Sequence, residues 1–481
     1  MLQETNIGWL TIGFLLTIVA VLHIFRIVRV NNRPHTGDAF TYLRLAREIR
    51  RQRRLFPEMV FYHTGEREIL QLPPLLMLLL APVAGFPYSL IVSLASLLDV
   101  LIAGIVVVSG VAVFDLAPWR AVLAGAIFLL TPINVVITAS LTPRALGLLW
   151  FVIFGLGMTL YISDPVPLWF VVSALAVLLA FLSQRMVTQI ILLLVPLIVA
   201  GFWLAGLPGY GSLAMATAAG FVGALLLTLG SYWRVFSDHM RRVIVHMKVG
   251  QQQRFRREFG NPRQILKANP WLLLLIASLI AGGRIDGQFW LSAAFVAGIL
   301  LLAIIWVMGN SVNHMYFASP FVAWLVVATL PEGMPWLAAI AVVGVVSGVL
   351  VFREFRLAIT KHIPDEWLSC FRFIREEGLQ GRALVIPAVS FPPLIYYTPL
   401  VMVSSGHGSK AVTFDRMQIR HQLQVPGFLA SLVHDFGLRY LLVDVQDAAP
   451  ELMAVDGVLR GQAFRQIYAE GRVMLLEVVQ G

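Results

Sequence analysis

The sequence contains few charged residues and almost no cysteine. Asp, Glu, Lys and Arg make up only 13% of the 481 residues, whereas 58% are hydrophobic; soluble domains carry about 25% charged residues. The single cysteine, Cys370, excludes an intramolecular disulfide. The sequence also lacks a zinc-finger or RNP motif, a fixed-period repeat and a low-complexity segment. These absences exclude an ordinary soluble domain and argue against a nucleic-acid partner.

Long apolar runs are the main feature of the chain, and they are continuous rather than alternating. Because only helices and closed barrels span a bilayer, and barrel strands alternate, the runs predict a polytopic α-helical membrane protein. At about 20 residues per span, we expect about eleven transmembrane helices. Residues 8–30 have no preceding basic segment and no cleavage site, so they are interpreted as a retained span. The net charge of +10 then suits anionic headgroups or phosphates.

The composition predicts two domains. Residues 1–352 would form the membrane domain, with a first loop at about 31–87 and a basic loop at about 232–269. Residues 353–481 would form a soluble α/β domain. Its expected elements, from apolar periodicity and turn residues, are helices at 364–378 and 429–437 and strands at 383–389, 440–445 and 473–479.

Asp38 lies between the first span and an amphipathic helix. The apolar face of that helix includes Leu43 and Ala46, and its other face is rich in arginine, which suits the membrane interface. A carboxylate at this position could act as a general base for a lipid-linked substrate. Asp is also a favoured N-cap residue, so the alternative role of Asp38 is to cap the helix.

Asp99 is the acidic residue of the span at about 88–113, and Arg26 and Arg29 end the first span. An intramembrane carboxylate is a functional candidate by default. The alternative is a structural Asp that is bonded to a neighbouring helix, and both readings stay open. We expect Arg26 and Arg29 to extend their side chains to the interface.

Several segments together resemble the GT-C class of polytopic glycosyltransferases. Asp38, Tyr42 and Ala46 follow a D-x-x-x-Y-x-x-x-A pattern, which the segment Pro73-Pro74-Leu75 follows. The runs TPINVVITASLTPRALG and HDFGLRYLLVDV also look like segments of this class. The class includes polyprenyl- and dolichyl-phosphate-sugar mannosyltransferases, aminoarabinose transferases and oligosaccharyltransferase catalytic subunits.

The resemblance implies an inverting transfer of sugar from a polyprenyl-phosphate-linked donor, with Asp38 as general base. The leaving phosphate needs fixed positive donors, for which Arg144, Arg185 and His314 are candidates. Each arginine could instead anchor its loop at the interface, and a lone histidine is more often structural.

A divalent metal is possible, and no cofactor is certain. His35, His63 and Glu66 could bind an acceptor or a metal, but their spacing matches no standard zinc site. The sequence also departs from the class, because the first loop has one Asp rather than a pair and the second outer loop has no acid. Both departures favour monosaccharide transfer over a metal-dependent oligosaccharyltransferase mechanism.

The resemblance places the C-terminal domain outside the cell membrane, whereas the positive-inside rule places the arginine-rich loops in the cytoplasm. We expect the extracytoplasmic side, because basic residues at a phosphate site have a functional reason to break the rule. The expected partners are the lipid-linked sugar, membrane lipids and an acceptor glycan, lipid or protein. Two other functions remain open: a transporter or flippase for an anionic lipid-linked substrate, and a non-catalytic membrane assembly subunit.

Overall fold

Helices dominate the computed structural model of the chain. Their bounds in chain order are α1 Leu2–Phe25, α2 Ala39–Gln52, α3 Leu75–Leu80, α4 Tyr88–Ala112, α5 Pro118–Leu129, α6 Pro132–Thr138, α7 Arg144–Ser163, α8 Pro167–Ser183, α9 Arg185–Leu204, α10 Tyr210–Leu227, α11 Ser231–Gly250, α12 Pro262–Ala268, α13 Trp271–Ile280, α14 Trp290–Ile305, α15 Met315–Thr329, α16 Met334–Ile359, α17 Asp365–Glu376 and α18 Pro392–Tyr397. The structure describes residues 2–35, 37, 39–59, 68–69, 72–139, 141–250, 261–305, 311–386, 391–402, 431, 433–434, 437–446 and 464–479.

The predicted polytopic helical architecture is confirmed. Among the described residues, seven helices are long and apolar enough to cross a membrane, or eight if α5 and α6 form one bent span. The expected eleven includes shorter helices, such as α8 with 17 residues and α13 with 10 residues. Large apolar side chains stay exposed along the spans, for example Val108 at 67% and Leu226 at 71%. Such surfaces suit hydrocarbon as the surrounding solvent.

The break between α5 and α6 bends the chain by 52°. Pro132 stands at the first position of α6, where its fixed φ suits a helix start and its missing N–H cannot continue α5. The Asn134 side-chain amide donates at 2.6 Å to the carbonyl of Phe128, whose regular helical donor, four residues later, would be the missing N–H of Pro132. The bend brings Thr138, at the end of α6, to the site described below.

The chain forms two compact units, each from two separate stretches. The membrane unit consists of Met1–Asn32 and Pro87–Thr360, and the second unit consists of Arg33–Phe86 and Lys361–Gly481. The segment expected to be a first outer loop thus belongs to the same unit as the C-terminal part. Its helix α2 buries Phe40, and that ring lies 5.1 Å from the ring of Tyr396 in α18. Arg47 donates to the Tyr396 hydroxyl at 2.6 Å.

A mixed sheet forms the centre of the second unit. Its strands are β3 Arg382–Ile386, β4 Val401–Met402, β5 Leu438–Asp444, β6 Phe464–Glu470 and β7 Val473–Val478, in the order β4-β3-β5-β7-β6, and a short β1–β2 pair, Glu58–Met59 with Glu68–Ile69, lies apart from it. β3 is parallel to β4 and β5, and β7 is antiparallel to β5 and β6. The buried face of α17, which includes Cys370 and Phe371, packs against β6 and β7 of this sheet.

The predicted α/β character of the C-terminal part is confirmed. The helix expected at 364–378 is α17, and the expected strands correspond to β3, β5 and β7. β6, FRQIYAE, was not predicted because its apolar residues do not alternate regularly with polar ones along the strand. Most of the helix expected at 429–437 lies outside the described residues.

Candidate functional site

The described part of the chain contains four of the predicted site residues. These are His35 in the second unit and Arg144, Arg185 and His314 in the membrane unit. Asp38, His63 and Glu66 lie outside the described residues.

His35 is buried in the second unit. Its ring meets the ring of His362 edge-on at 4.6 Å, and the Ile363 N–H donates to the Pro34 carbonyl at 2.8 Å. These contacts tie the start of the first loop to the segment before α17. Within the described ranges, no three or more His, Cys, Asp or Glu residues group as metal ligands. A metal near His35 therefore stays a prediction.

Arg144 and Arg185 are the first residues of two helices that begin side by side. Gly147, one turn into α7, approaches α9 so closely that a Cβ there would lie 3.2 Å from Gln184 Cβ. Gln184 caps α9, because its side-chain oxygen accepts from the Val187 N–H at 2.7 Å. The positive ends of two helix dipoles and two guanidinium groups thus share one region, which favours an anion.

The two arginines differ in how their charge is balanced. Arg185 forms an ion pair with the buried carboxylate of Asp238 in α11, at 3.2 Å. Next to it, the hydroxyls of Thr188 and Tyr232 form a hydrogen bond at 3.2 Å, and burial raises the pKa of Tyr232, so this phenol stays protonated. Arg144 has no carboxylate partner among the described side chains. Arg144 is therefore the cation whose charge is more available to a ligand.

His314 and Tyr316 lie at the start of α15. His314 ends a 3-10 turn at Ser311–His314 and is 1% exposed. Tyr316, two residues later, is fully buried, and its hydroxyl has no hydrogen-bond partner among the described residues. Tyr316 interacts electrostatically with Arg144 and also with Asp99 and Arg26. The structure thus connects the start of α7 to charges on two other helices.

Arg26 and Asp99 form a buried ion pair in the membrane unit. The Arg26 Nη1 lies 3.3 Å from Asp99 Oδ2, and the side chains are 1% and 5% exposed. Arg26 also donates through Nη2 to the carbonyl of Thr138 at the end of α6. Asp99 is thus bonded to a neighbouring helix. The expectation that Arg26 reaches the interface is wrong, because its guanidinium turns inward to the carboxylate.

Each partner of the ion pair also has a polar atom that the pair does not use. Within the described part of the chain, Arg26 Nε and Asp99 Oδ1 have no hydrogen-bond partner. Arg26 starts a π-helical turn, Arg26–Val30, and such turns are frequent at functional sites. We call the region of Arg26, Asp99, Arg144, Arg185 and Tyr316 the arginine end of the membrane unit. It carries three guanidinium groups, of which Asp99 and Asp238 balance two, so the remaining positive charge complements a phosphate.

Arg26 and Tyr316 were not predicted as site residues. The sequence held a signal for Arg26, because an Asp in a span requires a cation and few basic residues occur in the spans. No comparable signal marks Tyr316, whose proximity to the charges depends on how α15 packs.

Solved structures share the fold of this chain. ArnT from Cupriavidus metallidurans, bound to undecaprenyl phosphate, is 14% identical over 96% of this chain and 98% of its own, with a TM-score of 0.62. The oligosaccharyltransferase from Archaeoglobus fulgidus is 11% identical over 90% of this chain and 70% of its own, with a TM-score of 0.57. The arabinofuranosyltransferase AftD from Mycobacteria is 15% identical over 98% of this chain and 42% of its own, with a TM-score of 0.52.

No protein-family model and no curated protein sequence matches the chain. The structural matches nevertheless cover nearly its full length, and each is to a GT-C glycosyltransferase. The GT-C-like fold predicted from the sequence is confirmed.

Proposed function

We propose that the protein is a membrane glycosyltransferase that moves a sugar from a polyprenyl-phosphate carrier to an acceptor hydroxyl on the extracytoplasmic face. The observation that carries this proposal is the match over 96% of the chain to ArnT, since that structure contains undecaprenyl phosphate. The arginine end of the membrane unit supports it, because a lipid phosphate needs fixed cations at the end of apolar spans.

Arg144 is the principal phosphate ligand in this proposal. It stands at a helix N-terminus and has no described carboxylate partner, so its guanidinium can donate to phosphate oxygens. Arg185 lies beside it but shares its charge with Asp238. His314 adds a third polar group near Tyr316. As the sugar leaves, charge grows on the phosphate, and these fixed donors stabilise it.

Asp38 is the general base in this proposal. Its carboxylate takes the proton of the acceptor hydroxyl while that oxygen attacks the anomeric carbon. The bond from the anomeric carbon to the phosphate oxygen breaks, and polyprenyl phosphate leaves with the bonding electrons. One displacement inverts the configuration of the sugar. The acceptor is a glycan, a lipid or a protein.

A test replaces Asp38 in two ways that keep a helix cap. Asn and Ser cap helices about as well as Asp, but neither accepts the proton. Asp38→Asn and Asp38→Ser should therefore fold normally, while release of polyprenyl phosphate from polyprenyl-phosphate sugars, with a membrane lipid extract as acceptor, falls about 10²–10⁴-fold. Asp365→Asn is the matched control, since Asp365 is the first residue of α17 in the second unit and its side chain is 75% exposed. If either Asp38 variant keeps full activity, Asp38 is not the base.

Two further measurements address the metal and the side of the membrane. If chelation abolishes transfer and one divalent ion restores it, the mechanism requires a metal, for which His35, His63 and Glu66 are the candidate ligands. A reporter fused to Gly481 should be active outside the cytoplasm. A fusion that is active only in the cytoplasm would contradict the proposed orientation.

A further inference from the structure

A small open pocket lies at the opposite end of the membrane unit from Arg144. Its volume is about 70 Å³, and it is formed where α5 begins, α15 ends and α16 begins. The spans α5 and α6 run in sequence from this pocket to Thr138, which is bonded to Arg26. A Cβ at Gly8, near the start of α1, would lie 3.3 Å from the Trp119 ring of the pocket, whereas Arg26 directly follows the last residue of the same helix. The pocket is thus separate from the arginine end.

The pocket combines one cation, one anion and two indoles. Arg120 donates through Nη1 to the Val327 carbonyl at 3.1 Å, and its guanidinium lies 5.2 Å from the ring of Trp119. These contacts hold the Arg120 side chain, which is only 17% exposed. Trp336 lines the pocket with Trp119, and tryptophan is favoured at the level of lipid headgroups.

Glu332 is less firmly held than Arg120. Its carboxylate lies 3.5 Å from Arg120 Nη2, and its side chain is 74% exposed. An exposed ion pair of this length contributes little, so the carboxylate remains able to accept from a second cation. The pocket therefore presents a fixed cation and a nearby anion. A single ligand group that carries both charges can bind to the two of them.

We propose that this pocket binds the headgroup of a phospholipid that carries a primary ammonium, as in phosphatidylethanolamine. The phosphodiester accepts from Arg120, and the ammonium donates to Glu332 and lies against the indole of Trp336. The pocket takes the headgroup alone, while the acyl chains lie along apolar residues such as Leu123 and Leu337. Phosphatidylglycerol lacks the cation, and phosphatidylcholine has no ammonium hydrogen to donate. This inference does not depend on the proposed transfer reaction.

The test measures retained lipids by native mass spectrometry of the full chain, purified from vesicles with equal amounts of the three phospholipids. The wild type should retain phosphatidylethanolamine preferentially. Glu332→Gln should reduce this preference by about twofold to fivefold, which corresponds to an exposed ion pair of roughly 0.4–1 kcal/mol. Arg120→Gln should lower retention of all three lipids, because each has the phosphodiester.

Asp286→Asn is the matched control, since Asp286 is an exposed acid in the loop before α14 and does not line the pocket. That loop lies at the same end, as Gly283 approaches the Thr329 carbonyl at the end of α15. This variant should keep the wild-type preference. Equal retention of the three lipids by the wild type, or an unchanged preference in Glu332→Gln, would overturn the proposal. Loss of transfer in the Asp38 variants would leave this result unchanged.

Discussion

Replacing Asp99 by Asn should strongly destabilise the membrane unit. The variant leaves the Arg26 guanidinium, which is 1% exposed, without its carboxylate. Removing one member of a buried ion pair typically costs about 3–5 kcal/mol, because the remaining charge has no partner and no water. Arg26→Gln should cost a similar amount for the same reason. Unfolding free energies in detergent, measured by denaturant titration with circular dichroism, provide the values.

A double variant separates the ion pair from other effects of the substitutions. Arg26→Met with Asp99→Leu removes both charges and fills the site with apolar groups, which is often neutral or stabilising for a buried pair. The carbonyl of Thr138 then loses its donor, at a cost of about 1–3 kcal/mol. The double variant should therefore lose about 1–3 kcal/mol, far less than the roughly 6–10 kcal/mol expected if the effects of Arg26→Met and Asp99→Leu alone, each about 3–5 kcal/mol, added.

Arg29→Gln is the matched control for this experiment. Arg29 lies on the same π-helical turn as Arg26 but is exposed. Its loss should change the unfolding free energy by less than about 0.5 kcal/mol. Additive effects in the double variant, or single effects as small as that of Arg29→Gln, would refute the buried ion pair.

Two other expectations concern the phosphate ligands and the cysteine. Arg144→Gln should raise the KM for the lipid-linked donor about tenfold or more, as expected for a lost charge-assisted hydrogen bond of roughly 1.5–3 kcal/mol. Arg185→Gln should raise the KM less but lower the free energy of unfolding, because Asp238 stays buried without its cation. Steady-state kinetics and unfolding experiments distinguish the two variants. Equal effects of both variants on the KM would contradict the roles assigned to Arg144 and Arg185. Burial raises the pKa of the Cys370 thiol to about 12, so the folded protein should resist maleimide at about pH 8 and react after denaturation. Rapid labelling of the folded chain would contradict this burial.

Much of the fold could be predicted from local sequence patterns. Continuous apolar runs have one stable solution in a bilayer, so the helical class followed directly. The strands β3, β5 and β7 are compact apolar runs between polar segments, and this pattern identifies them. The number of full spans was less predictable, because helix lengths near Pro132 and in α13 depend on neighbours as well as on composition.

The packing of the first loop could not be predicted from the sequence. The pattern of α2 indicates an amphipathic helix but does not identify the surface that covers its apolar face. In the structure that surface includes α18, about 350 residues further along the chain, with Arg47 bonded to Tyr396. A contact over such a separation leaves no local signal, because each helix has the same periodicity with any apolar partner.

The candidate site could likewise be predicted only in part from the sequence. In the sequence, the basic side chains of Arg144, Arg185 and His314 predict a cationic site near the ends of apolar spans. Only the structure distinguished Arg144 from Arg185, because the Asp238 that balances Arg185 comes from a different helix.

Hydropathy and periodicity are local properties of the chain, so they are enough to predict a polytopic helical membrane protein with a mixed α/β part. Its residue patterns also predicted the GT-C-like fold. Only the packed structure shows that Arg26 turns inward to Asp99, and that Tyr316 lies within electrostatic reach of Asp99, Arg26 and Arg144. Ion pairs and shared electrostatic fields depend on distances between helices, and those distances are set only when the helices pack.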